Sequence, residues 1–382
     1  MTEMNTRVLL ARRPAEHLVA ADFAVDTQPL RSLQGSEFLI KNLYLSLDAG
    51  FRQWMNEGSG DNYLESMPLG EPVQSIVMGT VVESLNDQYP VGSIVMGRTS
   101  WEQYSIADGS DLMSILEPDP GVELHEYLCS LGPSGMTAYF GIMDIGQPKQ
   151  GDLFVINAAA GGIGCIAGQI AKAEGCTTVG IAGGQAKCQW LQNTLGYDQV
   201  IDYKSAEPFE QQLQKVAPEG MDIVYDNVGG PMLTTMLGQL AENSRIILCG
   251  AVSQYERDGG HEAVGNMWEL ITKRARAEGF MFSDHVDRYP EAIDYITGML
   301  KSGSLVSPVN WSEGIESTGQ AFVDMLAGNN LGKCLIGRNH HSVSIREHKR
   351  INLGLDVLHL AALKALKASH VNPIFKVTDV AH

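Results

Sequence analysis

The feature that most constrains this chain is one stretch, VINAAAGGIGCIAGQIAKAEG, residues 155–175. An apolar run gives way to a series of small residues, and then to a segment with Ile163, Ile166, Ala167 and Ile170 at helical spacing. The pattern predicts a strand over residues 153–157, a turn over 158–164 and a helix from Ile163 onward. Written as spacing it is A-x-x-G-x-x-G: Ala158, Gly161 and Gly164 hold the fixed positions, Gly162 lies between them, and alanine replaces the usual first glycine. Residues this small let a main chain close on a pyrophosphate at a helix N-terminus, so a dinucleotide is the expected ligand. A glycine-rich turn can also serve packing alone, and the motif needs its context.

That context lies on either side. From about Gly151, short buried runs (LFVIN, TTVGIAG, QVIDY, MDIVYDNV, RIILCG, RAEGFMF) alternate with helix-period segments, the mark of βαβ units and a parallel sheet covered on both faces. Residues 7–108 read differently. RVLLA, LVAADFAV, EFLIKNLYLSL, SIVMGTVVES, GSIVMG and WEQYSIA are short runs broken by turns, which predicts an antiparallel β-barrel or sandwich. A chain of 382 residues with 44% apolar content is long enough for both.

Charge and cysteine usage narrow the partners. A net charge of -18 argues against nucleic acid. No window approaches the roughly 18 apolar residues of a membrane span, and MTEMNTRVLLARRP lacks the apolar stretch of a signal peptide, so a cytoplasmic protein is expected. The six cysteines are scattered without a CxxC pair, indicating neither a disulfide framework nor a zinc knuckle. Residues 339–382 differ from the rest: they carry six Lys/Arg against three Asp/Glu and six of the ten histidines. Within them GLDVLHLAALKALKASHVNP reads as a basic amphipathic helix, expected to dock on the acidic body.

An NAD-specific site places a carboxylate at the end of the second strand, roughly 20 residues beyond the glycine motif, to bond the ribose hydroxyls. Here that strand ends in GIAGGQAK, with Gly183 and Gly184 at the expected place. A carboxylate would repel a 2'-phosphate, whereas two glycines leave room and Lys187 offers a cation. The reading is NADP(H), with Lys187 on the 2'-phosphate; the competing reading of Lys187 is a solvated surface lysine.

Several separate stretches then resemble one family: NLYLSLD (residues 42–48), GMTAYFGIMDIGQPKQGD (135–152), AAAGGIG, YDNVGG (225–230), CGAVSQY (249–255), LITKRARAEGF (270–280) and GNNLGK (328–333). Together, from about Arg7 to Arg338, they resemble the zinc-independent medium-chain dehydrogenase/reductases, within them the prostaglandin reductase, leukotriene hydroxydehydrogenase and 2-alkenal double-bond reductase group. The resemblance implies an α/β protein in two parts. A GroES-like β-barrel domain (residues 1–128 and 309–338) would flank a Rossmann domain with a doubly wound parallel sheet (129–308), leaving 339–382 as an extension, with the active site in the cleft between the domains; a homodimer is also implied.

Matched positions carry implied roles. Lys187 and Tyr203 (in IDYK) match residues at the adenosine phosphate, and Asn227, the segment from Cys249 to Ser253, and Asn330 (in NNLGK) match residues near the cofactor. Asn227 could also cap a turn, and Cys249 reads as packing rather than as a nucleophile. Zinc-dependent relatives need a cysteine before an Asp such as Asp48, a histidine after a glycine such as Gly70 and a cysteine near Pro133; this chain has Leu45, Glu71 and Pro133 itself, so no metal is expected.

Hydride donation without metal or flavin suits an electrophile that is already polarised, the β-carbon of an α,β-unsaturated ketone or aldehyde. The enolate oxygen then needs a hydrogen-bond donor. The resemblance points to Tyr255, of SQY, and secondarily to Tyr63, in GDNYLES; the ribose hydroxyl is the alternative donor. Where relatives read LSLDPYMR this chain has LSLDAGFR, so Gly50 replaces a pocket aromatic and a wider or redirected pocket is expected. Arg52 reads as structural or as a carboxylate anchor. A quinone reductase and a non-catalytic NADPH-binding protein remain open as alternatives.

Overall fold

The computed structural model describes residues 3–15, 17–61, 63–111, 113–256 and 263–337. The expected docking helix at 339–382 lies outside the described residues. The N-terminal part contains β1 (Met4–Leu10), β2 (Phe23–Pro29), β3 (Phe38–Leu47), β4 (Gln74–Ser84), β5 (Ile94–Ser100), β6 (Tyr104–Ala107) and β7 (Ser114–Leu116). The middle alternates α1 (Pro133–Phe140), β8 (Leu153–Ile156), α2 (Gly162–Ala173), β9 (Thr177–Ala182), α3 (Gln185–Leu195), β10 (Gln199–Asp202), α4 (Phe209–Val216), β11 (Met221–Asp226), α5 (Gly230–Leu237), β12 (Leu240–Leu248), α6 (Met267–Thr272), β13 (Arg276–Gly279) and α7 (Tyr289–Ser302). β14 (Val309–Ser312), α8 (Thr318–Leu326) and β15 (Lys333–Ile336) follow.

The middle strands form one parallel sheet in the order β10-β9-β8-β11-β12-β13. Because successive side chains alternate across a sheet, Phe154 and Ile156 of β8 enter the core under α1, α2 and α7, while Val155 enters the core on the other face with Leu213 of α4 and Leu233 of α5. In the inner strands β8, β9 and β11 both faces are apolar, which is why they read as continuous hydrophobic runs, whereas the edge strand β13 is exposed along its length. The order reverses between β8 and β11, and ligands bind at such a switch point, outside the carboxyl ends of the strands.

The second sheet runs β14-β15-β3-β4-β5-β7, with β6 also on β3. Its pairings are antiparallel except β14 with β15. β3 is its spine: Phe38–Lys41 pair with β6, and Leu45–Leu47 pair with the returning β15. Register shifts between β3 and β4, at Leu39/Ile40 and Asn42/Tyr44, increase the local bend and let the sheet curl over its core. That core joins Val8, Leu10, Leu45, Leu47, Trp101, Phe322 and Ile336, so elements from both ends of the described chain close it.

The parts meet at the glycine turn. Gly332 donates its N–H to the Ala160 carbonyl at 2.8 Å, and Gly161 and Gly332 form an isolated parallel bridge. Beside them the buried Lys333 ammonium reaches Asp48 and the Leu47 carbonyl at the end of β3.

Candidate active site

The turn after β8 takes the predicted form, with the helix beginning one residue earlier than expected, at Gly162 after an N-cap at Gly161. Ala158 stands at φ +47°, a left-handed conformation that glycine adopts without strain, so the alanine in the first position departs from the usual motif at a real steric cost. Gly164 is fixed by contact: a Cβ there would lie 2.4 Å from the Ala158 carbonyl oxygen and 2.6 Å from Ala159 Cα. The first turn of α2 holds no acidic residue, leaving its N–H groups available to an anion.

Across β9, Gly183 lies against Tyr203, whose hydroxyl would be 2.8 Å from a Cβ at that position, and against Lys204. The Lys204 ammonium sits over the Tyr203 ring, 5.8 Å from its centroid. Lys187, in α3, is half-buried; burial first, and then the neighbouring Lys204 charge, hold its ammonium below the ordinary lysine value. Neither lysine forms an ion pair among the described residues. The Asp202 carboxylate is turned to the backbone, where its Oδ1 accepts the N–H groups of Gly184 (2.7 Å) and Lys204 (3.0 Å). Two mutually repelling cations beside a glycine pair form a place that suits a phosphate. Lys204 escaped the sequence reading although it follows Tyr203 directly.

At the carboxyl ends of β8, β11 and β12 a polar lattice joins the loops. Asn157 donates to the buried Asp226 carboxylate, while its Oδ1 accepts the Asn227 N–H at 2.7 Å. Asn227 Nδ2 donates back to the Asn157 carbonyl at 3.0 Å. Burial raises the Asp226 carboxyl above the ordinary value, although Asn157 and the N–H groups of Gly229 and Val228 oppose the shift. Ser253 Oγ donates to the Val228 carbonyl at 2.6 Å, binding the loop after β12 to the loop after β11. Asn227 and Ser253 thus bond the scaffold with their own side chains. Asn157 and Asp226 escaped the sequence reading, yet the rule that singled out Asn227, a polar residue at a strand's carboxyl end, applies to both.

Cys249 is half-buried and burial pushes its thiol up to about 12, so it stays protonated near neutrality. Tyr255 lies at the end of the same loop. Its hydroxyl accepts the Ala251 N–H at 3.1 Å and is close to Gly250, where a Cβ would be 3.2 Å away. Burial raises its pKa above the ordinary phenol value. Asn330 is buried and donates through Nδ2 to the Gly332 carbonyl at 3.0 Å, bracing the returning segment at the glycine turn.

Tyr63 stands apart from this loop, on the N-terminal side, packed on Trp54 with ring centroids 5.6 Å apart. The Arg98 guanidinium lies 5.8 Å from its ring centroid. Arg52 is fully buried; only its Nη1 is bonded, to Asn56 Oδ1 at 2.6 Å. Among the described residues no three His, Cys, Asp or Glu side chains converge as a metal site would require.

This arrangement, a curled antiparallel sheet returning onto the glycine turn of a doubly wound parallel sheet, is that of the medium-chain dehydrogenase/reductases. Family models described as the N-terminal domain of oxidoreductase and as zinc-binding dehydrogenase match residues 6–115 and 162–298. The chain is 36% identical to the NADP(+)-dependent 2-alkenal reductase of Nicotiana tabacum, covering 87% of this chain and 97% of that protein. It is 34% identical to prostaglandin reductase 1 of Oryctolagus cuniculus, covering 83% and 88% respectively. The crystal structure of CurA from Vibrio vulnificus in complex with NADPH superposes with a TM-score of 0.81, at 35% identity over 88% of this chain and 99% of that one. The chain belongs to this family, and within it to the group of the 2-alkenal and prostaglandin reductases.

Proposed function

We propose that the protein is a zinc-independent, NADPH-dependent reductase that delivers hydride to the β-carbon of α,β-unsaturated ketones and aldehydes. The observation that carries this reading is the state of Tyr255. Its phenol oxygen accepts a backbone N–H, which orients the ring, while its own proton remains to be donated. Burial keeps that proton on through neutral and mildly alkaline pH.

NADP(H) is the cofactor, and it supplies a hydride. The residues that would hold it are Ala158, Gly161, Gly162 and Gly164 at the pyrophosphate, Gly183, Lys187, Tyr203 and Lys204 at the 2'-phosphate, and Asn227, Cys249, Ser253 and Asn330 around the nicotinamide end. The chain's task at the substrate is to steady charge. As the β-carbon takes hydride, the C=C π pair shifts to the bond between the α-carbon and the carbonyl carbon and the C=O π pair moves onto the oxygen, which Tyr255 would meet with its O–H. A proton then reaches the α-carbon, completing addition of one hydride and one proton. Tyr63 lines the opposite wall.

The family resemblance and an exposed edge together support a homodimer. All four residues of β13, the sheet's edge strand, are exposed, and beside it α6 exposes Met267, Trp268 and Ile271. All six cysteines are unpaired, which suits a cytoplasmic enzyme.

The test is NADPH oxidation with trans-2-nonenal, a 15-keto prostaglandin and a simple quinone in parallel. The expected outcome is turnover of the enones and a fall of about 10²-fold in kcat for Tyr255→Phe. Turnover of the quinone alone, or NADPH binding without any turnover, would replace the reading.

A further inference from the structure

We propose that Trp54, and not the residue at position 50, forms the substrate-selecting wall of the cleft, and that it seats an aryl group conjugated to the enone. The proposal rests on the reductase reading above.

Gly50 belongs to the 3-10 turn Ala49–Met55, which leaves Asp48 at the point where Lys333 ties β3 to the glycine turn. A Cβ on Gly50 would have one neighbour within 4 Å, Trp54 Cζ3 at 3.8 Å. The indole therefore stands beside the open face of the glycine. An aromatic side chain growing from position 50 would compete with it for that space. The family's pocket aromatic is thus not simply missing; a ring reaches the same ground from four residues further on.

Trp54 does not stand alone. Its ring lies 5.6 Å from Tyr63 at 43°, and 6.0 Å from Phe51 at 68°. Arg98, paired with Asp111, lies against Tyr63 and limits its movement. Trp54 and Tyr63 are both half-buried, so each keeps part of its surface open. The Trp54 Nε1 is shielded from water and lies near the Asp61 carboxylate, which it helps hold below the ordinary carboxylate value. An open aromatic pair gains more from a second flat ring than from an alkyl chain, because offset and tilted ring contacts add to area burial.

The measurement is the ratio of kcat/KM for 4-phenyl-3-buten-2-one to that for trans-2-nonenal, with NADPH saturating, alongside calorimetric Kd of 4-phenyl-3-buten-2-one for the NADP+-bound enzyme. Trp54→Ala should lower the ratio about tenfold and raise the Kd about as much, Trp54→Phe should recover most of both, and Gly50→Tyr should lower the ratio with Trp54 still present. An equal loss on both substrates with an unchanged Kd would assign Trp54 to structure only and overturn the proposal, as would an unchanged ratio. If the wild-type enzyme turns over neither enone, the reductase reading fails on its own, and the Kd arm still decides whether Trp54 seats the aryl group.

Discussion

Lys187 and Lys204 are the residues on which the proposed 2'-phosphate site turns. Each is a cation without an ion-pair partner among the described residues, and burial, then the Lys204 charge, make the Lys187 charge costly until an anion arrives. Lys187→Ala is expected to raise KM for NADPH about 10- to 100-fold, the range for losing a charge-assisted bond, while leaving KM for NADH nearly unchanged. The pH dependence has a defined sign. In the proposed site it is the protonated Lys187 that would hold phosphate, and its pKa in the free enzyme is lowered, so NADPH affinity should begin to fall with rising pH before the ordinary lysine value of 10.5 is reached. Isothermal titration at graded pH checks this; an affinity flat past that value would contradict it. Lys187 was a candidate from the sequence because the absence of a carboxylate at Gly183 and Gly184 called for a cation. Lys204 was not, since nothing in the spacing shows that the turn after β10 folds back against Gly183.

Among the elements, the glycines of two helices separate close approach from simple flexibility. Gly164→Ala would drive a Cβ into fixed backbone at 2.4 Å, so a loss of about 1–3 kcal/mol, and of NADPH binding with it, is expected in denaturant titration. Gly298, inside α7, has no left-handed φ, and a methyl group added there would meet nothing within 4 Å. Gly298→Ala should therefore stabilise by about 0.5–1 kcal/mol, through helix propensity alone. Both glycines sit at helical positions in the sequence, and the sequence distinguishes them only because one belongs to a known spacing. The strand assignments fared similarly. Runs such as LFVIN and MDIVYDNV were readable because both faces of a parallel strand are buried, whereas LVAADFAV is split in the structure, its first half forming the short 3-10 turn Ala20–Asp22 and its second entering β2.

On the scale of the whole molecule, the exposed edge of the parallel sheet bears on assembly. Trp268 and Ile271 are 67% and 65% exposed beside an edge strand with unpaired backbone groups, a combination that pairing with a second copy would cover. The double variant Trp268→Glu, Ile271→Glu should run as a monomer in light scattering if the wild type is a dimer through this edge; an unchanged mass would place the interface elsewhere.

The sequence by itself determined the two-part organisation, the order of strands and helices around the glycine turn, and the expectation of a 2'-phosphorylated cofactor. These follow from local rules: side-chain period, small residues at a strand-to-helix turn, and the sign of charge at one position. Only the tertiary structure decided that Lys333 reaches Asp48, that Asn157 and Asp226 brace Asn227, that Tyr255 accepts a bond from Ala251, and that Trp54 takes the ground beside Gly50. The Lys333–Asp48 contact joins residues 285 positions apart, and that between Asn157 and Asp226 spans 69, distances at which periodicity and spacing carry no information about contact. Tyr255 and Trp54 act at short range, but through loop geometry that only packing against the rest of the molecule can set.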